Sequence, residues 1–145
     1  MLSPARALVL NSSAGKPLPK VPELDALYRM GCTPRHGEVI MVAGRSGTQK
    51  SGFALWWTMQ MGLPTLYFSA DMSAFTASTR IACMIEGSET PYIERVMAEG
   101  GEEAERILAR MASEASHMQF AFGKITWPGM EAELDAYVEL HNAYP

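Results

Sequence analysis

Val39-Ile40-Met41-Val42-Ala43-Gly44-Arg45-Ser46-Gly47-Thr48-Gln49-Lys50-Ser51 is the stretch on which a reading of the fold turns. Five consecutive apolar residues ending on a glycine read as a strand buried on both faces. The eight residues from Gly44 to Ser51 then fit a GxxxxGK[ST] loop in all but one position, and the unbroken segment after them reads as a helix. Strand, glycine-containing loop and helix in that order is the context in which such a loop binds nucleotide phosphate. Consecutive backbone N–H groups surround the phosphate, and the helix dipole adds partial positive charge. Gly44, Arg45, Ser46, Gly47, Thr48, Gln49, Lys50 and Ser51 are therefore the expected phosphate-binding residues. Lys50 is expected to hold the β- and γ-phosphates of ATP and Ser51 to ligate Mg²⁺. The departure is Gln49, where the pattern has glycine; a Cβ there crowds a backbone that must curl around phosphate, which bears on affinity and hydrolysis more than on binding itself. An ordinary Gly/Ser turn between a strand and a helix is the competing reading.

Beyond the loop, Lys50 to Met61 carries Phe53, Leu55, Trp56, Trp57 and Met59 and stops at Gly62 and Pro64, so it is expected to be a largely buried helix. Thr65 to Ser69 returns to a strand pattern, and Ser73 is placed to cap a helix reaching about Glu86. Thr90-Pro91 opens a short helix to Met97, Gly100-Gly101 breaks it, and Glu102 to Ser116 puts Ile107, Leu108, Met111 and Ala115 on one face. Met118 to Phe122 is a third strand, Trp127-Pro128-Gly129 reads as punctuation, and a last helix runs from about Glu131 to His141. Toward the N-terminus, Ala7 to Leu10 is a short strand candidate, Asn11 to Pro22 a loop, and Glu23 to Met30 a short amphipathic helix. Strands alternating with helices predict an α/β domain with a mainly parallel sheet and flanking helices.

Composition narrows the class. The 145 residues, 48% hydrophobic and 19% charged, suit one compact domain. The apolar runs are far shorter than the roughly 20 residues that span a bilayer, and no secretory signal pattern opens the chain. A cytoplasmic protein with no membrane association is expected. Cys32 and Cys83 lack CxxC spacing and read as reduced thiols, and His36, His117 and His141 lack ligand spacing for a metal. A net charge of −4 argues against a surface given over to nucleic acid, without excluding a local basic loop. Adjacent Trp56 and Trp57 read as packing residues, and Met59, Met61, Met72, Met84, Met111 and Met118 as gap-filling core.

Asp71 follows the second strand, at the sheet edge where ligands bind in open α/β folds. It reads either as an acid that orients an attacking water or as a cap or start of the next helix. Residues 37–87 include Gly-Glu-Val-Ile-Met-Val-Ala-Gly from Gly37, the phosphate loop, Phe-Ala-Leu from Phe53 and Phe-Ser-Ala-Asp-Met-Ser from Phe68. They resemble the ATPase core of DnaB-type replicative hexameric helicases, and Arg80 stands where those proteins often carry arginine. The resemblance implies a RecA-like P-loop core over residues 37–145, preceded by an extension and lead-in helix over residues 1–36. It also implies Lys50 and Asp71 as catalytic residues, MgATP as the bound nucleotide, single-stranded DNA as the partner of the complete protein, and a homo-oligomer, hexameric in that family. Family members usually have glutamate at the Asp71 position. The strand bearing a second metal-associated aspartate, the DNA-contacting loops and the arginine finger have no counterpart before Pro145, so the core is expected to be incomplete at its C-terminus.

Overall fold

The computed structural model describes residues 15–142, which fall into two compact units, Met1–Lys50 and Ser51–Pro145. The strand candidate at residues 7–10 lies outside the described residues.

In the first unit, a single turn of 3-10 helix at Pro22–Leu24 runs into helix α1 (Asp25–Arg29). Proline suits that first turn because its missing N–H has no partner there to lose. Helix α1 ends in a Schellman arrangement: Gly31 takes φ 88°, its N–H donates to Tyr28 O and that of Cys32 to Leu27 O. Tyr28 folds back so that its hydroxyl accepts from the Val21 N–H at 2.9 Å, and both residues are buried. An isolated antiparallel bridge joins Pro17 to Arg35, with Leu18 N–H donating to Pro34 O and His36 N–H to Lys16 O.

The second unit takes up helix α2 (Lys50–Met61) just after its first residue and continues with strand β1 (Thr65–Ser69) and helices α3 (Ala74–Glu86), α4 (Thr90–Glu99) and α5 (Glu102–Glu114). Strand β2 (Met118–Phe122) and helix α6 (Trp127–His141) follow. Strands β1 and β2 pair in parallel, from Thr65 opposite Met118 to Ser69 opposite Phe122. Three helices occupy the crossover between them. Their shared core is Ala82, Ile93, Val96, Ala104 and Ile107, with Cys83, Tyr92, Met97 and Met111 packed against it. Ser73 caps α3 by accepting the Thr76 N–H at 3.1 Å, and Gly87 closes it at φ 61°. Helix α6 begins earlier than Glu131. Thr126 accepts from the Gly129 N–H, and Pro128 sits in the first turn, where it initiates a helix instead of interrupting one.

The expected RecA-like core is corrected by this architecture. Six α-helices and one two-stranded parallel sheet make up the described regular structure, without the multi-stranded sheet such a core requires. The decisive element is residues 39–43. They form no strand, and Val39 and Met41 are 98% and 86% exposed. A central strand is stabilised by ladder bonds on both edges and apolar cover on both faces, and among the described residues this run has neither.

Salt bridges brace the surface of the three-helix crossover. Arg106 reaches Glu86 at 2.8 Å and Glu103 at 2.9 Å, while Arg110 joins Glu86 and Glu114, both at 2.9 Å. The Arg106 hydrogen bond, helped by one from Tyr92, holds the Glu103 carboxyl down to about 2. Glu86 is likewise held below its ordinary range, chiefly by Arg106. Carboxyls depressed in the folded state contribute stability above their unfolded value and lose it as they are protonated. The network is therefore expected to weaken as pH falls from 4.5 towards about 2. Thermal unfolding of wild type and Glu103→Gln across that range checks this. The gap between the two midpoints should close as the solution becomes acid, and a constant gap would count against the network.

Candidate phosphate-binding loop

The loop from Gly44 to Gln49 is exposed along its whole length, and Lys50 is half-buried. Its turn closes on one atom, the carbonyl oxygen of Arg45. That oxygen accepts from Lys50 Nζ at 2.8 Å, from Thr48 Oγ1 at 2.8 Å and from the Thr48 N–H at 3.4 Å. Gly47 takes φ 78° and Gln49 φ 59°. Gln49 thus adopts the left-handed backbone conformation that glycine enters freely, although a left-handed residue with a Cβ costs roughly 1–2 kcal/mol. Gly44 is required for a different reason: a Cβ there would lie 2.7 Å from Thr48 Oγ1.

Lys50 opens α2, and Ser51 follows it in the first turn. The first N–H groups of any helix lack intrahelical acceptors. Local structure therefore brings Arg45, Thr48 and Lys50 together in one exposed turn, and the chain continues from Lys50 into α2. Gln49 is the position at which the sequence departs from the phosphate-loop pattern, and its backbone is left-handed.

A second group of residues gathers within the Ser51–Pro145 unit, at the carboxyl end of β1. Asp71 is exposed there. Capping of α3 belongs to Ser73, so the helix-cap reading of Asp71 is set aside. The turn between strand and helix is held by Ser69, whose hydroxyl accepts the Met72 N–H at 3.1 Å. Arg80 Nη1 donates to Met72 Sδ at 3.0 Å, binding the second turn of α3 back to this corner. The Tyr67 phenol is pushed up by burial first, with the Asp71 charge adding to the shift and the Arg80 charge opposing it. The structure thus gathers Tyr67, Met72, Asp71 and Arg80 at one strand end, and Arg45, Thr48 and Lys50 in the loop. Sequence reasoning passed over Tyr67, and it had Thr48 among the expected phosphate-binding residues without its bond to the Arg45 carbonyl. Tyr67, Ser69 and Asp71 are spaced by two, a signal for one side of an extended segment; the Thr48 bond to Arg45 O had no sequence signal beyond a hydroxyl in a tight turn.

Among the described residues, no group of three or more His, Cys, Asp or Glu side chains comes together to hold a metal ion. None of the described helices is long and apolar enough to cross a membrane.

The chain is similar to the "Gene 65 protein" of Mycobacterium phage L5, with 32% identity over 148 aligned positions that take in all of this chain and 53% of that protein. It is also similar to the "Gene 65 protein" of Mycobacterium phage D29, 29% identical over 110 positions covering 74% of this chain and 45% of the relative. The chain spans about half the length of the curated relatives it matches. No family model matches it. No solved structure matches it either.

Proposed function

We propose that the segment from Gly44 to Ser51 binds the phosphates of MgATP. On the resemblance to DnaB-type helicases, the chain is then the nucleotide-binding part of a longer ATPase that moves along single-stranded DNA as a homo-oligomer. The observation that carries the phosphate-binding reading is the exposed turn closed on the Arg45 carbonyl, with a left-handed residue directly before Lys50 at the start of α2. Loop and helix N–H groups would hold phosphate oxygens, Lys50 would hold the β- and γ-phosphates, and Ser51 would ligate Mg²⁺. Magnesium keeps several waters and takes phosphate oxygens readily, so it does not depend on a cage of protein carboxylates. Asp71 is the acid proposed to orient the attacking water.

A second reading, nucleotide binding with little hydrolysis, is favoured by Asp71, whose side chain is one methylene shorter than the usual glutamate, and by Gln49. Single-turnover hydrolysis of MgATP by wild type and Lys50→Ala separates the two. Turnover that depends on Lys50 supports the ATPase; saturable binding without it supports the regulatory or assembly role; no binding removes both.

Gln49 supplies a further check. Gln49→Gly keeps the left-handed turn without a Cβ and is expected to bind MgATP at least as tightly as wild type. Gln49→Val places a β-branched residue where it is a genuine conformational outlier. Driving the turn out of shape by roughly 1–2 kcal/mol weakens binding about tenfold. Equal affinities of the valine and glycine variants in a fluorescent-nucleotide titration would show that the turn's handedness is irrelevant to the ligand.

A further inference from the structure

Three donors meet on the Arg45 carbonyl, and a carbonyl oxygen has two lone pairs. One of the three is therefore the natural one to leave. Lys50 carries its ammonium on a flexible four-carbon stem and can exchange a carbonyl for a more negative partner. Thr48 contributes two donors from within the turn itself. Without its hydroxyl, departure of Lys50 would leave the turn held by the Thr48 N–H alone at 3.4 Å, beyond the usual range for such a bond.

We propose that Thr48 is a positioning residue of the phosphate site: its hydroxyl keeps the turn closed on the Arg45 carbonyl when Lys50 moves from that carbonyl to phosphate oxygens. This rests on the phosphate-binding reading above. A packing observation supports it independently. A Cβ on Gly44 would meet Thr48 Oγ1 at 2.7 Å, whereas the next nearest atoms, Lys50 Cδ and Thr48 Cβ, are at 3.7 Å, an ordinary contact. The hydroxyl is thus both bonded to the turn and seated against the Gly44 backbone, and it alone excludes a side chain at residue 44. Substitutions at the two positions should consequently be coupled, as for any pair in direct contact.

The test is MgATP titration of the full chain as wild type, Thr48→Ala, Thr48→Ser, Gly44→Ala and the double variant Gly44→Ala/Thr48→Ala, each checked for folding by thermal unfolding. Thr48→Ala is expected to weaken binding about five- to tenfold, the scale of one hydrogen bond. Its unfolding midpoint should hardly move, because the loop is exposed. Thr48→Ser keeps the donor and is expected to restore affinity to within about twofold. Gly44→Ala is expected to bind more weakly than the double variant, in which the offending oxygen is gone. A wild type that binds MgATP and a Thr48→Ala variant that binds equally well would overturn the proposal and leave the phosphate site standing. So would failure of serine to restore affinity, or additive losses in the double variant. A wild type that does not bind MgATP removes the phosphate site and this role with it.

Discussion

Ile107→Ala is expected to be among the most destabilising single substitutions in the Ser51–Pro145 unit, costing about 2–5 kcal/mol. Ile107 is fully buried on α5, in one core cluster with Ala82 of α3, Ile93 and Val96 of α4, and Ala104 one turn back. Its neighbours include two alanines, small side chains fixed to helix backbones, which cannot move far to fill the space left behind. The loss includes a cavity as well as a transfer term. Against a net stability of about 5–15 kcal/mol for a typical domain, this is a large fraction. Ile107→Val removes one methyl group and is expected to cost about 0.5–1.5 kcal/mol. Leu108→Ala is the control: Leu108 is 53% exposed, and surface changes usually stay within about 0.5 kcal/mol. Urea unfolding should show the Ile107→Ala midpoint lowered with little change in slope. A loss no larger than that of Leu108→Ala would mean that the three helices do not share this core.

The contrast between Ile107 and Leu108 also shows what was legible in the sequence. A helix over residues 102–114 follows from spacing and from acidic residues in the first turn, but telling that Leu108 lies off the buried face required knowing which stripe α3 and α4 cover. The strands at Thr65–Ser69 and Met118–Phe122 and the capped helix from Ala74 to Glu86 were readable because each signal is local: β-forming residues between turn residues, a serine at the cap, a glycine at the end. Residues 39–43 carry an equally strong apolar signal without forming a strand. Apolarity says that a segment gains by burial; it does not supply the ladder partner that makes the segment a strand. A RecA-like sheet counts this run among its strands, so the sheet fails with it. In the candidate site, the residue types were legible and the bonding was not. Lys50 and Gly44 are marked by the motif, whereas the shared acceptor at Arg45 O is a product of backbone geometry.

The same geometry separates binding from stability at Lys50. Within the turn, Lys50 donates to the Arg45 carbonyl, and that carbonyl keeps Thr48 when the lysine is removed. Lys50→Ala therefore leaves no acceptor unsatisfied, and because the Arg45 carbonyl lies in an exposed loop it is expected to shift unfolding by no more than about 0.5 kcal/mol. Binding of MgATP should respond very differently. An ammonium on phosphate oxygens makes charge-assisted hydrogen bonds, roughly twice as strong as neutral ones and worth about 1.5–3 kcal/mol. Losing that interaction corresponds to a weakening of about 10- to 150-fold. Lys50→Arg retains the charge in a planar, bulkier head that cannot occupy the same point, so it is expected to recover only part of the loss. Calorimetric titration with MgATP alongside thermal unfolding of the same samples measures both quantities. If Lys50→Ala unfolds like wild type and binds within about twofold of it, the ammonium contributes no phosphate contact, and any nucleotide held by this chain lies elsewhere than the loop.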